Sequence, residues 1–154
     1  MEIEYVRSRF IKHFDGKTGN IYHSPGRINL IGEHTDYNGG FVFPGAVEQG
    51  IMAEVRPNGQ QTCNVYSIDL KDMVHFKIDD PKGPSATWAR YIYGVVQEMR
   101  ALGVDVKPFN AAFAGDVPLG AGMSSSAALE SCFACALNDL FGDNKVSKWD
   151  MVLA

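Results

Sequence analysis

The sequence predicts a mixed α/β domain. Segments with apolar residues at helical spacing alternate with short segments in which apolar and polar residues alternate. One strand-like segment runs directly into a glycine- and serine-rich turn that would open a long helix. The chain of 154 residues can bury a core of ordinary size, and its composition, 45% hydrophobic and 21% charged, is that of a globular protein.

The first half of the chain predicts one helix followed by strands. Apolar residues recur at helical spacing over residues 3–14, and Asp15 and Gly16 are turn residues that would close this helix. The next elements are strand-like or apolar runs at 20–23, 41–43, 51–55, 62–67 and 74–78, with a turn at 57–59.

The second half predicts a helix, a strand and a longer helix. The first helix ends at Gly103, and one side of it carries Trp88, Ile92, Val95, Met99 and Leu102. Residues 109–114 form a strand, and the helix after it runs to about Phe141 and ends at Gly142.

The C-terminal residues predict a longer protein. Ser147 and Asp150 have the spacing of a helix-capping pair, yet the chain stops at Ala154 after about two turns. Because so short a helix is poorly stable without packing, we expect this chain to be the N-terminal part of a longer protein.

The turn after the predicted strand has the features of a phosphate-binding corner. Gly120 and Gly122 lack the Cβ atoms that would keep a ligand away from the backbone. The hydroxyls of Ser124 to Ser126 lie beside the unpaired N–H groups of a helix N-terminus, which attract anions. The pattern lacks the Lys of a Walker loop and the third Gly of a Rossmann loop. A serine-capped helix after a glycine turn is the structural alternative.

A second polar segment, residues 23–40, combines a few aliphatic side chains with many polar ones. The polar set is Arg27, Asn29, Glu33, His34, Asp36 and Asn38. Buried polar groups without partners cost about 1–3 kcal/mol each, so a bound ligand would account for them. Carboxylates beside an imidazole suit a polyhydroxylated ligand, because each carboxylate accepts hydroxyl hydrogens. A solvated turn at 38–40 is the alternative, and the acidic and imidazole groups match no metal-binding pattern.

Charge and hydropathy limit the partners. The formal net charge is −4 and no stretch is strongly basic, which argues against nucleic acid. The acidic N-terminus lacks the apolar core of a signal peptide, and no run approaches the roughly 18 apolar residues of a membrane span. We therefore expect a cytoplasmic protein that binds small molecules, without nucleic acid or membrane as partner. The oligomeric state is left open.

The three cysteines do not form a disulfide framework. Cys132 and Cys135 form a CxxC pair well inside the last predicted helix, whereas a redox CxxC usually opens a helix. A zinc site would need two further ligands in a second such pattern. We expect buried structural cysteines.

The two polar segments together resemble the GHMP small-molecule kinases. The string Gly26-Arg-Ile-Asn-Leu-Ile-Gly-Glu-His-Thr-Asp-Tyr-Asn38 is similar to the sugar signature of the galactokinases in that superfamily. The string Pro118-Leu-Gly-Ala-Gly-Met-Ser-Ser-Ser-Ala-Ala128 is similar to the superfamily's phosphate loop, with Met123 where leucine is usual. The resemblance implies a fold of the ribosomal protein S5 domain 2 type. Residues 1–154 would form an incomplete N-terminal domain, with the C-terminal domain absent.

The resemblance also implies an activity and its residues. The activity is transfer of the γ-phosphoryl group of ATP to the C1 hydroxyl of α-D-galactose, with ATP and Mg²⁺ as cofactors. Arg27 would stabilise the transition state, and the galactose-binding residues would be Glu33, His34, Thr35 and Asp36. The ATP-binding residues would be Ser67, Gly120, Ala121, Gly122, Met123, Ser124, Ser125 and Ser126. Ser126 would also bind Mg²⁺.

The resemblance places further catalytic groups downstream of Ala154, namely an aspartate beside the sugar C1 hydroxyl and a second acidic Mg²⁺ ligand. Because phosphoryl transfer depends on positioning and charge neutralisation, we expect the 154 residues alone to be inactive. An N-acetylgalactosamine kinase is one alternative, although Thr35 and Asn38 favour galactokinase. A non-catalytic sensor of galactose and ATP that regulates a partner protein is the other, although the intact triple serine favours the enzyme.

Overall fold

The computed structural model describes residues 2–25, 50–115 and 123–142. The elements in these ranges are α1 (Ile3–His13), β1 (Asn20–Pro25), β2 (Gly50–Pro57), β3 (Cys63–Ser67), β4 (Asp72–Phe76), α2 (Thr87–Ala101), β5 (Phe109–Gly115) and α3 (Met123–Phe141). These ranges combine helices with strands of a single sheet, so the predicted α/β class is confirmed.

The described strands form one five-stranded mixed sheet in the order β1-β2-β5-β3-β4. β2 is antiparallel to both β1 and β5, and β3 is antiparallel to β4. β3 and β5 are parallel, and α2 lies between them in the sequence, as a parallel connection requires. β5 is therefore the central strand, with two strands on each side.

Helices cover both faces of the sheet. Because successive side chains of a strand point to opposite faces, the alternation in β2 and β5 separates two cores. Ala53, Ala111 and Phe113 pack with residues of α2 and α3 on one face. Met52, Ala112 and Ala114 pack on the other face with Val6, Phe10 and Phe14 from the α1 region.

A buried ion pair attaches α1 to the sheet. Glu54 of β2 points to the α1 face and its side chain is fully buried. Arg7 Nε donates to both carboxylate oxygens, at 3.0 and 3.2 Å, and the Gly19 N–H donates to Oε2 at 2.6 Å. These charge-assisted bonds compensate the desolvation of the carboxylate.

Most predicted elements are confirmed, with small differences. β4 begins at Asp72, two residues before the predicted start, because Ser67 pairs with Asp72 directly after the turn at 68–71. Leu102, predicted on the packing side of α2, is 39% exposed because the helix ends at Ala101. The predicted run 41–43 and the capping pair near 147–150 lie outside the described residues.

Candidate functional site

The strands that lead into the two polar segments end at the same edge of the sheet. Pro25, the last residue of β1, pairs with Gly50, and Ile51 pairs with Gly115, the last residue of β5. β1 and β5 flank β2 and each is about 4.8 Å from it, so their ends lie roughly 10 Å apart. Residues 26–49 and 116–122 therefore connect to the sheet at neighbouring points on one edge.

Most of the predicted site residues lie outside the described ranges. This group consists of Arg27, Glu33, His34, Thr35, Asp36, Gly120, Ala121 and Gly122. Met123 to Ser126 form the first turn of α3, as the sequence predicted. Ser67 ends β3, a strand parallel to β5, and pairs with Phe113.

The N-terminus of α3 has the backbone features of an anion site. Its first N–H groups have no partner within the helix, and they carry the positive end of the helix dipole. The first turn contains no acidic residue that would repel an anion. Residues 116–122 separate this turn from Gly115, the last residue of β5.

Ser67 has a structural role in this fold. The residue is 2% exposed, and its Oγ accepts a hydrogen bond from the Leu70 N–H at 3.3 Å. This bond closes the turn between β3 and β4. The hydroxyl keeps its own hydrogen for a further acceptor. Its contact with a nucleotide stays a prediction.

The turn between β3 and β4 also forms a hydrogen bond with the end of β5. Asp69 Oδ2 accepts a hydrogen bond from the Gly115 N–H at 2.8 Å. A Cβ at Gly115 would lie 2.5 Å from Ile51 Cδ1 and 3.3 Å from the Gly50 carbonyl oxygen, so β5 and β2 approach each other closely here. Sequence reasoning missed Asp69. Its only signal was an acidic residue in the turn directly after a predicted strand.

The indole ring of Trp88, from α2, lies at this edge of the sheet. Trp88 Nε1 donates to Asp72 Oδ2 at 3.0 Å, and its ring packs on Phe113 with 5.5 Å between centroids. Asp72 is the pairing partner of Ser67, so the indole and the end of β3 are neighbours. The helical spacing predicted Trp88 on the packing side of α2 but gave no signal for its position at this edge.

A tyrosine joins β1 to the C-terminal end of α3, the end opposite the predicted phosphate corner. Tyr22 Oη donates to Asp139 Oδ2 at 2.6 Å. Burial, followed by this hydrogen bond, raises the pKa of Tyr22 well above its usual range, so the phenol stays neutral. The contact fixes the strand that leads into residues 26–49 against the helix that begins at the phosphate corner.

The cysteines are only partly as expected. Cys63 and Cys132 are buried, and the Cys132 thiol donates to the Tyr22 carbonyl oxygen at 3.5 Å. Burial raises the pKa of Cys63 to about 12 and that of Cys132 further. The prediction that both cysteines of the CxxC pair are buried was wrong for Cys135, which is exposed because three residues do not complete a helical turn.

The described part of the chain contains neither a metal-binding cluster nor a membrane-spanning helix. In the ranges 2–25, 50–115 and 123–142, no group of three or more His, Cys, Asp or Glu side chains could hold a metal ion. Within the same ranges, no helix is long and apolar enough to cross a membrane.

Two family descriptions match this chain in consecutive regions. The galactokinase galactose-binding signature matches residues 8–57, and the GHMP kinase N-terminal domain matches residues 90–153. The first range contains the predicted sugar segment, residues 23–40. The second contains the predicted phosphate corner, residues 118–128.

Related proteins extend well beyond the length of this chain. A galactokinase of a Roseiflexus species is 43% identical over 84% of this chain and 33% of that protein. A galactokinase of Clostridium perfringens is 37% identical over 99% of this chain and 40% of that protein. The chain thus spans between a third and two fifths of the length of these curated relatives.

Solved structures agree with the described fold. The crystal structure of Lactococcus lactis galactokinase complexed with galactose matches 98% of this chain and 40% of that chain, at 32% identity and a TM-score of 0.77. The mevalonate kinase of Methanococcus jannaschii matches 89% of this chain and 44% of its own, at 16% identity and a TM-score of 0.58. The latter supports the fold alone.

Proposed function

The chain belongs to the galactokinase family of the GHMP kinases, and from this relationship we propose that the protein phosphorylates α-D-galactose. In this reaction the γ-phosphoryl group of ATP moves to the C1 hydroxyl and gives galactose 1-phosphate and ADP. One observation carries the proposal: β1 and β5, which lead into the sugar segment and the phosphate corner, end on either side of the start of β2. A sugar and a phosphate held there would be close enough to react.

The sugar segment supplies the groups that recognise hydroxyls. Glu33 and Asp36 would accept hydrogen bonds from galactose hydroxyls, and His34 and Thr35 would complete the set. A site built to pair each hydroxyl discriminates against sugars that lack or invert one, by factors up to about 10⁴. Arg27 would stabilise the charge that develops on the phosphoryl group during transfer.

The phosphate corner supplies the groups for ATP and Mg²⁺. Residues 120–126 would wrap the phosphates, because backbone N–H groups at a helix N-terminus bind anions. Mg²⁺ prefers oxygen ligands and shares them with phosphates, and the Ser126 hydroxyl belongs to that donor class. The absence of acidic residues in the first turn of α3 fits this use. When bound, Mg²⁺ neutralises phosphate charge. The described residues provide a buried Ser67 beside the same edge.

Turnover would need more of the galactokinase fold than these residues contain. The chain covers 33% to 40% of the relatives' lengths. Phosphoryl transfer depends on groups placed on both sides of the reacting phosphate. We assign residues 1–154 to the N-terminal domain and expect them alone to be inactive. A cytoplasmic location fits a reaction that consumes ATP.

A chimeric enzyme tests the proposal. Residues 1–154 replace the corresponding N-terminal portion of Lactococcus lactis galactokinase, and ADP release is measured with galactose and with N-acetylgalactosamine. We expect turnover that depends on galactose. A chimera that unfolds cooperatively and binds ATP but uses only N-acetylgalactosamine would assign the alternative kinase. A chimera that binds galactose and ATP without turnover would support the sensor and contradict the enzyme.

A further inference from the structure

The face of the sheet opposite α2 and α3 carries a cavity with a concentrated positive charge. It lies between α1 and the end of β3 with the turn that follows, and its volume is about 440 Å³. Arg9, Lys12 and His13 line it from α1, and Lys71 lines it from the turn. Tyr5 and Tyr66 provide aromatic walls. We call these six residues and the space they enclose the basic pocket.

The charge of the basic pocket is not balanced within the described structure. None of its lining residues is a carboxylate, although the chain as a whole has a formal net charge of −4. The ion pairs found among the described residues join Arg7 to Glu54 and Lys107 to Asp105, so neither Lys12 nor Lys71 takes part in one. A cleft that is lined by cations and by no carboxylate favours an anionic ligand.

Local helix electrostatics explain only part of this cluster. Lys12 and His13 lie in the last turn of α1, where cations interact favourably with the helix dipole. Lys71 belongs to a different element, and its φ of +53° is a conformation in which Asn or Gly is far more common. Neither helix stability nor turn geometry calls for a lysine at this position.

Parts of the basic pocket are fixed before any ligand binds. Arg9 Nη1 donates to the Tyr5 carbonyl oxygen and to Ser8 Oγ, both at 3.2 Å, and Arg9 Cζ lies 4.1 Å above the Tyr5 ring. The remaining guanidinium N–H groups are left for an acceptor. The His13 and Tyr66 rings pack with 3.9 Å between centroids. A ligand would thus meet a positioned guanidinium beside the ammonium groups of Lys12 and Lys71.

We propose that the basic pocket binds a small metabolite through a phosphate monoester group. Such a group carries close to two negative charges and three acceptor oxygens, which matches one guanidinium and two ammonium groups. A volume of about 440 Å³ is within the range of small-molecule sites and leaves room for the organic part against the tyrosines. The pocket is distinct from the phosphate corner, because α3 packs on the opposite face of the sheet. It is also independent of the proposed kinase reaction.

Titration of the ¹⁵N-labelled chain tests this proposal. Inorganic phosphate and glucose 6-phosphate are added at constant ionic strength, with glucose as the neutral control, and amide chemical shifts are followed. We expect saturable shifts at residues 5–13 and 66–71. Tighter binding of glucose 6-phosphate than of inorganic phosphate would support the proposal, whereas equal binding would overturn it in favour of the free phosphate ion.

Two matched double variants distinguish binding in the basic pocket from a general effect of surface charge on affinity. Lys12→Gln combined with Lys71→Asn removes two charges, and Asn suits the positive φ at position 71. We expect this variant to bind at least about tenfold more weakly, the loss typical of one charged contact. Lys77→Gln combined with Lys107→Gln removes two exposed charges elsewhere and should change affinity less than twofold. Equal weakening by both variants, shifts without saturation, or shifts confined to the start of α3 would overturn the proposal.

Discussion

At the scale of single residues, the three cysteine thiols differ in reactivity because they differ in burial. Cys63 and Cys132 are buried, and their pKa values are raised because a thiolate would lose its hydration. Cys135 is exposed on α3. Since the thiolate is the reactive form, the buried thiols are inert while the fold is intact.

Alkylation measures this division directly. We expect iodoacetamide at pH 8 to label Cys135 in the folded chain and to label Cys63 and Cys132 only in denaturant. Mass spectrometry of peptides gives the labelled fraction at each position. Cys135→Ser is the control and should leave the folded chain unlabelled. Comparable labelling of Cys132 in the folded chain would contradict the burial described here.

Asp69 is the second residue whose position has consequences, because it acts on the end of β5. Its carboxylate accepts the Gly115 N–H, immediately before the residues that lead into α3. The structure gives this exposed turn residue a positioning role at the sheet edge.

Replacement of Asp69 should loosen that edge without unfolding the domain. We expect Asp69→Ala to cost about 0.5–1.5 kcal/mol of the free energy of unfolding, the usual contribution of one hydrogen bond. Hydrogen exchange of the Gly115 amide should accelerate more than that of amides in the middle of β5. Asp79→Ala, which removes another exposed carboxylate, is the control. Unchanged exchange at Gly115 would show that the hydrogen bond does not hold the strand end.

At the scale of elements, α1 and β2 depend on each other through the Arg7–Glu54 pair. The Glu54 side chain is fully buried, whereas the Arg7 side chain is 32% exposed. Removing the partner of a buried charge leaves that charge uncompensated, and this costs more than the pair contributes.

We expect Arg7→Met to lower the free energy of unfolding by about 2–3 kcal/mol, less than for a fully enclosed pair because Arg7 is partly solvated. The double variant Arg7→Met with Glu54→Met should recover most of that loss, because it leaves no buried charge. Urea unfolding of the three proteins gives the comparison. A double variant as unstable as the single one would show that packing, not charge, attaches α1.

The elements also show where local patterns mislead. The alternation over 74–78 predicted β4 two residues late, because a period of two fits several registers equally well. The register is set by pairing with β3 and by a turn with a positive φ at Lys71, a residue that gives no turn signal. The spacing within α3 predicted a helix correctly but did not reveal that Cys135 lies on its exposed side.

At the scale of the whole molecule, the order of the strands brings the attachment points of the two motifs to one edge of the sheet. Strands that are far apart in the sequence become neighbours, so the sugar segment and the phosphate corner join the sheet at one edge. The proposed reaction uses both motifs at once, and a change in either should affect turnover more than folding.

Arg27 tests this combined site in the chimera. We expect Arg27→Ala to reduce kcat on the order of 10²–10³, the scale for losing one group that stabilises the transition state. Arg90→Ala, which removes an exposed arginine of α2, should leave kcat within about twofold. ADP release with galactose gives both values. A chimera that keeps normal kcat without Arg27 would remove that residue from the mechanism.

The sequence by itself determined the helices, most strands and the two motifs, because side-chain spacing and turn chemistry act over a few residues. It also placed a helix N-terminus at Met123 to Ser126 and predicted the family resemblance. The tertiary structure decided the order of the strands, the burial of Glu54 and the contacts of Asp69 and Trp88. These features depend on strand pairings between residues far apart in the chain, such as Ile51 with Gly115. A pattern within a few consecutive residues carries no information about such pairings, because their stability depends on the neighbouring strands.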